Sequence, residues 1–401
     1  MANLRSQPQK TDVVLGGRQS SPAGAVVLGG WAGIRSNLQS IYPEQRLAAL
    51  PQLLRYGEQG VALLIQCLGD RSPKVQRYAL QLLWHRTEPQ VRQALAGYTH
   101  YQLLDCQQSL TAHQQPITAL ALTDDGATLI STDTDGEILL WDLGTGQVRQ
   151  RLQGHQQMVT ALALCPHTSR LYSSSRDRTI QVWDIHSGAH QQTLTGHLGY
   201  VNSVAVTPDG TMLVTGSQDT TIKIWDTLSG KDMRTLRGHT NLVAGIALSP
   251  DGKTIASCSY DTTIRTWDLE TGKQVWEFVG HSARVLAFAI SPDGRILASG
   301  SLDTRIMLWD LQTGMEIATL EGHWGWVKAL AFSRDGKVLV SASYKVIKFW
   351  DVATLSEICS LTGHRDLINT IALSADSQIL ATGGEDRLIH IWRVPPPQTT
   401  Y

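Results

Sequence analysis

Residues 196–226 read GHLGYVNSVAVTPDGTMLVTGSQDTTIKIWD, and the reading of this stretch decides the fold. It opens on Gly196-His197 and closes on Trp225-Asp226, with the tryptophan 29 residues after the glycine. The same frame returns from Gly154-His155 to Trp183-Asp184, from Gly238-His239 to Trp267-Asp268 and from Gly280-His281 to Trp309-Asp310. It returns again from Gly322-His323 to Trp350-Asp351 and from Gly363-His364 to Trp392-Arg393. The first copy runs from Ala112-His113 to Trp141-Asp142. Openings fall 42 residues apart five times and 41 once. A period held that closely marks an architecture of stacked units.

Each copy has one internal grammar. The alternating run Val201–Val206 reads as a strand with one buried face. Thr207-Pro208-Asp209-Gly210 follows, with proline and glycine where a type I turn takes them. A second strand leads to a tight turn at Gln218-Asp219, a third ends at Trp225, and a polar hairpin opens a fourth. Four short strands every ~40–45 residues make one propeller blade, so seven copies predict a mainly β, seven-bladed propeller.

The residues carrying this pattern resemble the WD-repeat (Trp-Asp repeat) β-propeller family over about three quarters of the chain. The resemblance implies a buried hydrogen-bond network in each blade, joining the opening histidine, a Ser/Thr, the turn aspartate and the tryptophan. The sets are His113, Ser131, Asp135 and Trp141; His155, Ser173, Asp177 and Trp183; and His197, Thr215, Asp219 and Trp225. Then come His239, Ser257, Asp261 and Trp267; His281, Ser299, Asp303 and Trp309; and His364, Thr382, Asp386 and Trp392. The sixth blade keeps His323, Ser341 and Trp350, but its turn, Tyr344-Lys345-Val346, is one residue short and lacks the aspartate. That blade should have an incomplete network. The donors and acceptors match, and a broken set leaves a buried group costing ~1–3 kcal/mol.

Outward from the repeats, residues 1–39 read as a flexible Gly/Ser/Gln-rich leader with two copies of Val-Val-Leu-Gly-Gly. Residues 40–98 turn helical, with Ser40 and Ser72-Pro73 as helix starts, Gly57 as a stop, and apolar residues such as Leu47, Leu50 and Leu54 at helical spacing. The stretch from Ala62 to Leu83 resembles a HEAT repeat, a unit that commonly presents protein-binding faces. The propeller is assigned to 99–396 and a tail to 397–401. The last copy has no fourth strand, and Pro395-Pro396-Pro397 forbids one. Leu110 sits where the other copies have the apolar residue of their outer strand, so Leu103–Leu110 should complete the last blade and close the ring.

Charge is balanced, 34 basic against 35 acidic residues, which argues against nucleic-acid binding. No window suggests a membrane span or an export signal, so a cytoplasmic protein, a monomer by default, is expected. Five scattered cysteines without CxxC read as reduced thiols. Among thirteen histidines none has metal-ligand spacing on a helix, His186 and His190 included, and neither a cofactor loop nor a nucleophile elbow is present. No catalytic residue, metal or cofactor is therefore assigned.

Function then falls to a surface. The family resemblance places the residues beside the turn aspartate and around the first strand's opening on the narrow face. There the chain shows Tyr200, Leu242, Tyr260, Leu286, Leu302, Trp326 and Tyr344, with Trp324 alongside and Arg284 and Lys328 near. Exposed Tyr, Trp and Arg are the composition of a binding hot spot. The expectation is a non-enzymatic scaffold binding proteins or peptides on that face. The alternative is a propeller enzyme with its site at the central channel, which would need a non-repeating polar cluster on the innermost strands; those strands read mostly Ala, Leu, Val and Ile.

Overall fold

The computed structural model describes residues 30–165 and 168–394, so most of the leader, both Val-Val-Leu-Gly-Gly copies bar Gly30, and the tail lie outside the described residues. The described chain forms two compact units that divide between Leu103 and Leu104.

In the larger unit, seven four-stranded antiparallel sheets follow one another as the blades of a propeller. Blade 3 is typical: Val201–Val206, Met212–Ser217, Ile222–Asp226 and Asp232–Leu236, from the axis outward. Alternation sends Val214, Ile222 and Ile224 into the contact with blade 4, where they form one apolar cluster with Leu236, Val243, Ile255 and Trp267, and sends Leu213 into the cluster shared with blade 2. The core is thus a ring of inter-blade layers. A bulge interrupts the first strand of every blade at the residue after its opening aliphatic, as at Asn202 between Val201 and Ser203. The extra residue leaves the pairing and is re-aimed.

Blade 7 supplies three strands of its own, and Asp105–Leu110 adds the fourth, antiparallel to Ile389–Arg393 with Leu110 opposite Ile389. The strand starts two residues later than the sequence suggests, because His100–Leu103 winds as a 3₁₀ turn. Leu110 is buried in the layer shared with Ile117, Trp141, Ile389 and Ile391.

The smaller unit holds α1 (Trp31–Leu38), α2 (Pro43–Leu53), α3 (Gly57–Cys67), α4 (Pro73–Leu83) and α5 (Pro89–Ala94). Helix α1 falls in the stretch read as leader: Ile34 is buried and the Trp31 ring stacks 4.9 Å from Tyr56. Neither serine caps its helix through its side chain. Tyr42 occupies the cap of α2, and Asp70 Oδ1 accepts the N–H of Ser72 instead. The same aspartate grips Arg46 of α2 through two hydrogen bonds of 2.9 and 3.0 Å, and the guanidinium is almost wholly buried. Paired in this way, a buried arginine is held without an uncompensated charge. Gly60 is required where α3 crosses the end of α2, since a Cβ would lie 1.8 Å from Leu53 O.

Candidate functional site

Five blades carry one relay. In blade 2, Trp183 Nε1–H donates to Ser173 Oγ (2.9 Å), the hydroxyl donates to His155 Nε2 (2.8 Å), and Nδ1–H donates to Asp177 (2.7 Å). Blades 3, 4 and 5 repeat it with Trp225, Thr215, His197 and Asp219; Trp267, Ser257, His239 and Asp261; and Trp309, Ser299, His281 and Asp303. Blade 7 joins Trp392, Thr382, His364 and Asp386 in the same order. Burial works to raise the pKa of Asp177, Asp219 and Asp261, and hydrogen bonds from the histidine and a neighbouring threonine outweigh it, holding the carboxyls well below their usual range. These histidines and serines are tied to one another at every blade, so their chemistry is structural.

Blade 1 departs from the sequence reading. His113 Nδ1–H donates to Asp133, not Asp135, at 2.9 Å. Asp135 is exposed, and its own N–H donates to Asp133 Oδ1. The cause lies two residues on. Blades 2 to 4 have a threonine there (Thr179, Thr221, Thr263) whose hydroxyl donates to the turn aspartate. Blade 1 has Glu137, which would set a second carboxylate against Asp135. The buried Asp133 takes the imidazole, and Glu137 turns to an ion pair with Arg151. In blade 6, His323 bonds Ser341 and Ser341 accepts Trp350, but no carboxylate among the described residues pairs with the imidazole. Burial and then nearby Lys348 push its pKa down to about 4.

The seven bulged residues converge. Thr118, Thr160, Asn202, Ala244, Leu286, Lys328 and Asn369 all border one cavity of about 680 Å³ at a mouth of the central channel. Five of these seven are polar, which corrects the apolar reading of the innermost strands: strict alternation hides a bulge. Lys328 Nζ donates to Asn369 Oδ1 (2.7 Å), and Asn369 Nδ2 donates to Glu385 Oε1 (3.0 Å) and to Ile117 O (2.9 Å). Burial lowers the pKa of Lys328, with Glu385 and Asp366 opposing.

Of the ten residues expected on the binding face, Tyr200, Leu242, Tyr260, Leu286 and Lys328 line this cavity, together with Met158, Arg176 and Gln218. Arg284 does not line it, but its guanidinium lies over the Tyr260 ring at 4.8 Å, as Arg176 lies over Tyr200 at 5.7 Å. Stacked this way the two rings are held rigid while their cations stay near the mouth. Leu302, Trp326 and Tyr344 are not part of the lining; Trp326 and Tyr344 are about half exposed, with Lys345 over the Tyr344 ring. Trp324 is 99% exposed and borders a separate hollow with Asp303, Arg305 and Glu321. The expected cluster is therefore split, between a mouth that its residues line from blades 3 to 6 and a looser aromatic group at blade 6. Sequence reasoning also missed exposed Met233, Val275, Trp276 and Ile317 on three consecutive outer strands, with Met315 just before the third. Their alternation is no stronger than that of a covered strand.

Comparison with known proteins agrees with the geometry. The WD domain, G-beta repeat model matches residues 104–142, 146–184, 314–351 and 355–393. The first match begins at the closing strand and the last ends with the third strand of blade 7. The propeller belongs to the WD-repeat family. A model described as the IFT122 first beta-propeller matches residues 173–327, from blade 2 to the start of blade 6, and marks a likeness. No curated protein matches the chain. WD-repeat propellers are generally non-enzymatic scaffolds that bind proteins. Among the described residues no helix is long and apolar enough to cross a membrane.

Proposed function

We propose that this protein is a non-enzymatic scaffold whose WD-repeat propeller captures a protein segment at the channel mouth. The observation that carries this reading is the pair Tyr200 and Tyr260, each stacked under an arginine, beside Leu242 and Leu286 at the rim of a preformed cavity. Rigid aromatic rings next to apolar side chains and satisfied cations are what binding hot spots are made of. Arg176 and Lys328 reach the cavity from blades 2 and 6, and Glu385 stands near Lys328, so the cations do not merge into the stripe a nucleic acid needs. The helical unit, with its likeness to a HEAT repeat, offers a second contact that raises avidity when both engage. We place the protein in the cytoplasm, as a monomer, a reading that its five free thiols support.

The test is affinity capture with three purified chains: wild type, Tyr200→Ala/Tyr260→Ala, and the outer-strand control Trp276→Ala/Ile317→Ala, matched by circular dichroism. Loss of a specific partner from the first variant alone supports the channel mouth. Loss from the control alone moves the site to the outer strands.

One observation favours a second reading. Lys328, Asn369 and Glu385 are the non-repeating polar cluster that a channel enzyme requires, and a lysine of lowered pKa is a competent amine nucleophile. Borohydride trapping of a carbonyl compound on wild type, absent from Lys328→Met, would establish it.

A further inference from the structure

Blade 7 alone places a histidine, His390, at the third-strand position where blades 3, 4 and 6 have Lys223, Arg265 and Lys348. Its imidazole is 94% buried, being only 6% exposed. Nδ1 lies 2.8 Å from Ser109 Oγ of the closing strand, with Cys106 Sγ 3.5 Å away on the same side. Nε2 is buried without a hydrogen-bond partner, and the tautomer that donates Nδ1–H to Ser109 presents a lone pair there. The ring lies 4.3 Å, centroid to centroid, from the ring of His364. Asp386 is the third member: one ligand atom each of His364, Asp386 and His390 fall within 4.8 Å of one another.

Asp386 is also less engaged than Asp177, Asp219 and Asp261. Leu388 stands where Thr179, Thr221 and Thr263 give their aspartates a hydroxyl bond, so beyond His364 the Oδ1 atom has only the Leu388 N–H at 3.2 Å.

We propose that blade 7 is a binding site for a divalent transition metal, with His364, Asp386 and His390 as its protein ligands. Two imidazoles and one carboxylate suit zinc, cobalt or nickel over calcium or magnesium. Ser109 supplies the outer hydrogen bond that orients a ligating histidine. For His364 to coordinate through Nδ1, its proton shifts to Nε2 and is donated to Thr382 Oγ, which has a second lone pair beside the Trp392 N–H; no net proton is lost. The other mixed cluster, His113, Asp133 and Glu137, differs: it has no second histidine with an unpartnered nitrogen as His390 has, and its Glu137 is already paired with Arg151. Because Ser109 belongs to the closing strand, a bound metal tightens the seam of the ring.

The experiment titrates the full, metal-stripped chain with Zn²⁺ by calorimetry and with Co²⁺ by visible absorption. Wild type is expected to bind one more ion per chain than His390→Lys, whose lysine is the residue blades 3 and 6 hold at this position. The Co²⁺ bands should be of tetrahedral intensity without a thiolate charge-transfer band, and Zn²⁺ should raise Tm in wild type only. Leu388→Thr, which restores the missing hydroxyl donor, is expected to weaken Zn²⁺ binding at least tenfold with the fold intact. Equal stoichiometry in wild type and His390→Lys, or no uptake by wild type at tens of micromolar Zn²⁺, overturns the proposal. Should His390→Lys lose its circular dichroism, His390→Gln, which puts there the residue type that blade 2 holds as Gln181, takes its place under the same criteria.

Discussion

The two aspartates of the first blade's turn give a direct contest. Asp133 is 2% exposed and accepts three hydrogen bonds: His113 Nδ1–H at 2.9 Å, Asp135 N–H at 3.0 Å and Glu137 N–H at 3.1 Å. Asp133→Ala strands the buried imidazole donor, which costs ~1–3 kcal/mol, and removes two further bonds at ~0.5–1.5 kcal/mol each. Glu137 stands 3.6 Å from the same nitrogen and recovers part of the first loss. The expected destabilisation is about 2–4 kcal/mol. Asp135 is exposed, and Asp135→Ala should stay within ~0.5 kcal/mol of wild type. Guanidinium unfolding followed by tryptophan fluorescence measures both, and exchange of the Trp141 indole proton reports the blade locally, because Trp141 donates to Ser131 within the same relay. If Asp135→Ala were the costly change, or the two losses were equal, the assignment of the imidazole's partner would be wrong.

Two further outcomes follow from other parts of the ring. His323 is buried with its pKa lowered to about 4 from 6.5, so the unfolded chain binds more protons between those values; its contribution to stability is full above about pH 6.5 and falls as pH drops to 4. At 1.36 kcal/mol per unit the loss is about 3 kcal/mol, and His323→Gln should flatten this limb of a stability–pH curve; an unchanged slope counts against it. Leu110→Ala empties a side chain packed on Ile389 and Ile391 and should cost ~2–4 kcal/mol, with faster exchange of the Ile389–Arg393 amides; protection left intact would mean the closing strand holds less than its burial implies.

Much of the fold is legible because its signals repeat. A period of 42 with a fixed tryptophan survives local irregularity, and the missing fourth strand of blade 7 points to Leu110. What fails to show are single-position effects. Asp133 and Asp135 are the same residue type two apart, and only the competition with Glu137 separates them. The polar ring at the channel mouth is hidden because a bulge re-aims Lys328 and Asn369. Helix α1 is a two-turn element without a side-chain cap, so its hold on Tyr56 is a tertiary fact. His390 draws no notice as one histidine among thirteen until the rings of blade 7 are seen together.

The closing strand has a consequence in time. Leu110 and Ile389 are partners, yet 279 residues of chain separate them. A ribosome adding ~5–20 residues per second needs roughly 15–60 s to deliver the partner after the closing strand has emerged. Throughout that interval the strand has no sheet to join, and the inner face of blade 1 waits uncovered. The latch is made first and shut last, so damage there should appear as poor yield during synthesis at concentrations where the finished ring is sound.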